Sequence, residues 1–133
     1  MTAAPLTGRI TATIPAQTAA AVADQSIGRA PYAGTVARVS LTPEADITGA
    51  TATARTFTCI NKGADGNGTT VVATLATTTG VNLTDFNEQD FTLSAVAGAT
   101  TVAEGDILAV AETVASTGTA HSGGLITIEI ART

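Results

Sequence analysis

The chain has 133 residues with one cysteine, one histidine and no tryptophan, a length that suits one domain. Its net charge is −5, and its six Lys+Arg are spread singly. That excludes the clustered cations that binding a phosphate backbone requires, so no nucleic-acid partner is expected. The apolar fraction of 44% overstates the core, because 27 of the residues it counts are alanine and Val, Ile, Leu and Phe together number 29. Such a thin core gains from burial against a second copy or a larger surface.

Along the chain, residues 1–25 read as an N-terminal arm or edge strand and 26–133 as a single β-sandwich domain. Ala21-Val22-Ala23 has the small residues of a signal-peptidase site, but the basic start and apolar run that a secretory signal needs do not precede it. Synthesis in the cytoplasm without export by this route is the expectation. Arg9–Ile14 alternates so that Ile10, Ala12 and Ile14 share one face, the period-two mark of a half-buried strand. Further alternating or β-branched runs predict strands near 35–41, 53–61, 69–77, 90–96, 106–114 and 125–130. Between two of them, Lys62-Gly63-Ala64-Asp65-Gly66-Asn67-Gly68 holds residues that tolerate positive φ in a hairpin turn. Pro15, Pro31 and Pro43 fall at strand margins, where a missing N–H matters least. Threonine matches alanine at 27 residues, and its β-branch suits strands. The fold class expected is all-β, an antiparallel β-sandwich with an extended N-terminal arm, with a jelly roll and a barrel as alternatives.

The chemistry-bearing residues are scattered. For His121, beside Ser122 and near Thr119 and Glu112, a nucleophilic triad would need a buried acid orienting the ring and an oxyanion hole; the sequence shows neither, and an exposed loop histidine is expected. Cys59, in an alternating apolar stretch, reads as a buried, inert thiol. With His121 and the distant Cys59 as the available soft ligands, zinc is not expected. Asp85, Glu88 and Asp90 bunch without the glycine of a calcium loop, and Asp65 in its glycine-rich turn has no second carboxylate, so these read as solvated turns. No metal, no cofactor and no enzymatic activity are expected. Phe57, Phe86 and Phe91 are assigned to the core. Tyr32 is then the single candidate for a sugar-stacking platform.

The succession Gly28-Arg29-Ala30-Pro31-Tyr32-Ala33-Gly34-Thr35-Val36, then Val39-Ser40-Leu41-Thr42-Pro43, Thr48-Gly49-Ala50 and Arg55-Thr56-Phe57-Thr58, resembles small structural proteins of tailed bacteriophages. Asn61-Lys62-Gly63, Gly68-Thr69-Thr70-Val71-Val72-Ala73, Glu104-Gly105-Asp106-Ile107-Leu108 and Gly123-Gly124-Leu125-Ile126-Thr127-Ile128 continue the likeness over roughly residues 28–130. The resemblance implies a capsid decoration (cement) protein, or the capsid-proximal part of a head fibre. The expected function is therefore a non-enzymatic virion structural protein on the capsid exterior. Its partner would be the phage major capsid protein, with which it docks as a homotrimer and away from any membrane. In that reading Ile10, Ala12 and Ile14 meet a neighbouring subunit or the shell. The alternative is a carbohydrate-binding or adhesive module, in a head fibre or a tail component, that uses Tyr32.

Overall fold

The structure is a computed structural model that describes residues 7–133. Ten strands follow one another: β1 (Thr7–Ile14), β2 (Gln25–Arg29), β3 (Gly34–Pro43), β4 (Arg55–Asn61), β5 (Thr70–Ala76), β6 (Gln89–Asp90), β7 (Thr92–Leu93), β8 (Thr101–Val102), β9 (Ile107–Val114) and β10 (Gly124–Arg132). No described helix is long and apolar enough to cross a membrane. One sheet has the order β1-β10-β3-β6, with β8 also on β3, and the other the order β2-β9-β4-β5-β7. Every pairing is antiparallel.

The connectivity is nested. β4 pairs β5, β3 pairs β6, β2 pairs β9 and β1 pairs β10. A long hairpin folded over on itself produces that arrangement, which is the winding of a jelly roll. Its innermost turn is the 62–68 segment expected from the sequence, where the Asn67 N–H donates to Asp65 Oδ1 and holds the Asp65 carboxyl below its ordinary range.

Alternation along the strands builds the core. Val39 and Leu41 on β3, Phe57 and Cys59 on β4, Leu108 and Val110 on β9, and Ile126, Ile128 and Ile130 on β10 all point between the sheets. Burial pushes the Cys59 thiol up to about 12, because low-polarity surroundings disfavour a thiolate.

Two expectations are revised. The 90–96 strand is two short pieces on different sheets, β6 and β7, separated by Phe91. That ring is buried and its N–H donates to the Val39 carbonyl, so the chain changes sheets where it drops a side chain into the core. β2 was not foreseen: its five residues include a register shift and one core side chain, Ile27, too few to show a period. Residues 7–14 form an edge strand in continuous register with β10, from Thr7 opposite Ala131 to Ile14 opposite Gly124. Met1–Leu6 lie outside the described residues.

Candidate functional site

Three buried ionisable side chains, Arg55, Glu112 and His121, come together at one end of the sandwich. Arg55 opens β4 on the same side as Phe57 and Cys59, and Glu112 on β9 stands opposite Phe57, so strand parity drives both inward. Arg55 Nη1 donates to Glu112 Oε1 at 2.8 Å, with both side chains at most 2% exposed. The other guanidinium donors reach backbone carbonyls. Nη1 also donates to Ala21 O, Nη2 to Thr18 O and Ala19 O, and Nε to Thr119 O. One side chain thereby straps down the β1–β2 connection (15–24) and the β9–β10 connection (115–123). Gly118, at φ +74°, lies so close beneath the strap that a Cβ would overlap the Ala19 carbonyl.

His121 joins this cluster, contrary to the exposed position expected of it. Its ring is buried edge-on against Phe57, with centroids 5.4 Å apart. Nδ1 accepts the Gly123 N–H at 3.0 Å, and Nε2 lies 2.8 Å from Glu112 Oε1. Since Nδ1 is the acceptor, Nε2 carries the proton and donates to the carboxylate. Both ring nitrogens are occupied, so neither is free to act as base toward Ser122, which is exposed. The cluster is a closed structural lock, and His121 is buried in it because the 115–123 connection folds back over the end of the core.

The other sequence candidates also find partners within the chain. Ile14 is buried, and Ile10 and Ala12 pack against the core from the edge strand. The face expected to meet a partner is thus largely spent inside the sandwich, because the register with β10 turns it inward. Tyr32 is buried too, its hydroxyl donating to the Ile130 carbonyl at 2.7 Å and its ring beneath the Arg132 guanidinium. No open ring face is left for a sugar. Glu88 and Asp90 pair with Arg38, and Ser40 Oγ donates to Glu88 Oε2. The Asp90 hydrogen bond is the main reason the Arg38 guanidinium holds its proton above the ordinary range. Among the described residues, no group of three or more His, Cys, Asp or Glu side chains is placed to hold a metal ion.

What distinguishes a surface is the contrast between the outer faces of the two sheets. On the β1-β10-β3-β6 sheet a charged row crosses the strands: Arg9 opposite Glu129, Glu129 opposite Arg38, and Arg38 bonded to Asp90. This is a solvated face. The outer face of the β2-β9-β4-β5-β7 sheet presents Ser26, then Ala109, Ala111 and Thr113, then Thr56, Thr58 and Ile60, then Val71, Thr74 and Ala76, and finally Thr92. None of these carries a charge, and Arg29 and Lys62 stand at one rim. A groove of about 400 Å³ beside Thr74 and Thr92 borders the face on one edge, and one of about 190 Å³ beside Ser26 and Ala109 on the other. Its side chains are small or β-branched, and covering the centre of the face would strip water from no ion. Sequence patterning shows which strand residues point outward, but the pairing order is what assembles these into one neutral surface.

No family model, curated protein or solved structure matches the chain.

Proposed function

We propose that the protein is a non-enzymatic structural protein of a tailed-phage virion that binds the outer surface of the capsid and stabilises it, as a homotrimer docked on the major capsid protein. The observation that carries this reading is the neutral outer face of the β2-β9-β4-β5-β7 sheet, set against a charged opposite face. Interface centres are depleted in charge, whereas solvated surfaces keep it. The likeness of residues 28–130 to small phage structural proteins supplies the kind of partner. The small apolar core supplies a reason to dock, since binding of the folded state adds to its stability by mass action. Repetition of a modest contact over a lattice, by copies joined as an oligomer, gives firm attachment without one tight site.

The test is co-sedimentation with DNA-filled heads of the encoding phage prepared without this protein, together with the native mass of the free protein. The expected result is saturable binding and a mass of three chains. Ala111→Arg, which places a charge in the middle of the neutral face, is expected to abolish binding while leaving the melting temperature within a few degrees. Absence of binding by the unaltered protein overturns the proposal. Undiminished binding by Ala111→Arg overturns the assignment of the face.

A further inference from the structure

Phe86 was expected in the core, yet it is 74% exposed and is held at φ +58°. The left-handed region is unfavourable for a bulky side chain, and an exposed aromatic ring forgoes its burial. Two costs at one residue call for a cause outside the isolated chain.

The backbone around Phe86 is firmly set. The Leu83 and Ile47 amides exchange hydrogen bonds at 2.9 Å, the Asp85 N–H donates to Asp46 Oδ1, and the Asn87 N–H donates to the Thr84 carbonyl. The Phe86 N–H itself donates to the Pro43 carbonyl at 2.8 Å. The neighbouring Thr42 pairs with Leu125, another large apolar residue left exposed. The apolar tip is therefore presented by an ordered loop, so the entropy of ordering it is already spent before any partner arrives.

The surroundings define the partner. Asp85 precedes the ring, Asp46 accepts the Asp85 N–H, and Glu44 follows the Pro43 that accepts the Phe86 N–H. Carboxylates thus flank the ring on both segments that hold it. An aromatic centre with a one-sign rim fits a socket of opposite character.

We infer that the 83–88 loop is an anchor that seats Phe86 in an apolar socket rimmed by Lys and Arg side chains on the capsid surface. This inference rests on the capsid-binding reading above and adds a contact distinct from the neutral sheet face.

Phe86→Gly separates the anchor from a structural role, because glycine removes the ring and also relieves the positive φ. The expected result is a melting temperature equal to or above that of the unaltered protein, with affinity for the decoration-free heads reduced about 30-fold, the scale of a central aromatic contact. Phe86→Asn, which tolerates the same backbone, should behave alike. Asp85→Lys should weaken binding at low salt and converge with the unaltered protein at high salt, as screening removes the rim attraction. If the unaltered protein binds heads and Phe86→Gly binds equally well, the anchor is overturned and the capsid reading stands. A fall in melting temperature in both Phe86 variants, or an unchanged salt dependence in Asp85→Lys, also overturns it. Absence of binding by the unaltered protein removes both.

Discussion

Replacing Arg55 by methionine keeps most of the side-chain volume but removes the charge and every donor. Glu112 is then a carboxylate with 2% exposure, left with the His121 Nε2–H as its one charge-neutral partner. The Thr18, Ala19, Ala21 and Thr119 carbonyls lose a donor as well. These carbonyls belong to partly buried bonds that water can replace in part, so the ion pair sets the scale. Removing one member of a buried pair costs about 3–5 kcal/mol, a large share of the roughly 5–15 kcal/mol available to a domain. At about 4 °C per kcal/mol for this size, the melting temperature should fall by about 12–20 °C. Removing both charges in Arg55→Met/Glu112→Leu leaves no unpaired ion, so the double variant should be more stable than Arg55→Met alone. The coupling energy should be about 2–3 kcal/mol. Urea denaturation of the four proteins in the cycle measures it. A loss below about 1 kcal/mol for Arg55→Met, or additive single effects, would refute the claim that one buried ion pair locks both connections.

Three further outcomes follow from other parts of the molecule. Because the Cys59 thiol ionises near 9 when unfolded and near 12 when folded, the folded state binds the extra proton between those values. Its stability contribution is whole below pH 9 and declines above it, by up to about 1.4 kcal/mol per pH unit; Cys59→Ala should remove that component from alkaline urea titrations. Tyr32→Phe deletes the hydrogen bond to Ile130 O and should cost about 1 kcal/mol, measured by the same denaturation midpoint with unchanged m. Gly98 and Gly118 both have positive φ, but a Cβ at Gly98 meets nothing whereas one at Gly118 meets the Ala19 carbonyl. Gly98→Ala should therefore cost about 1–2 kcal/mol, and Gly118→Ala clearly more, in side-by-side thermal melts.

Most strands were legible because one-sided burial imposes a two-residue period on Arg9–Ile14, Arg55–Asn61 and Leu125–Ile130. The same period held information about the lock: Arg55 shares the parity of Phe57 and Cys59, and Glu112 that of Leu108 and Val110. Two inward charges of opposite sign on neighbouring strands have little choice but to pair. The burial of His121 and the exposure of Phe86 are not legible in the sequence, because loops have no such period and burial there depends on what the connection folds over. The neutral face needed knowledge of which strands adjoin, a long-range property that local patterning does not contain.

The nested winding also constrains how the molecule is made. β10, the last of the described strands in chain order, sits between β1 and β3 rather than at an edge. Until it leaves the ribosome, the sheet lacks its central member and both neighbours expose unpaired backbone. The β4–β5 hairpin closes over a short turn and can form early, whereas the pairing of Thr7 with Ala131 must wait until every other described strand has been made and bears the largest loop-closure entropy among them. Loss of β10 would thus open the middle of a sheet, and a ribosome stalled before Gly124–Arg132 had emerged would hold a nascent chain with two adhesive edges.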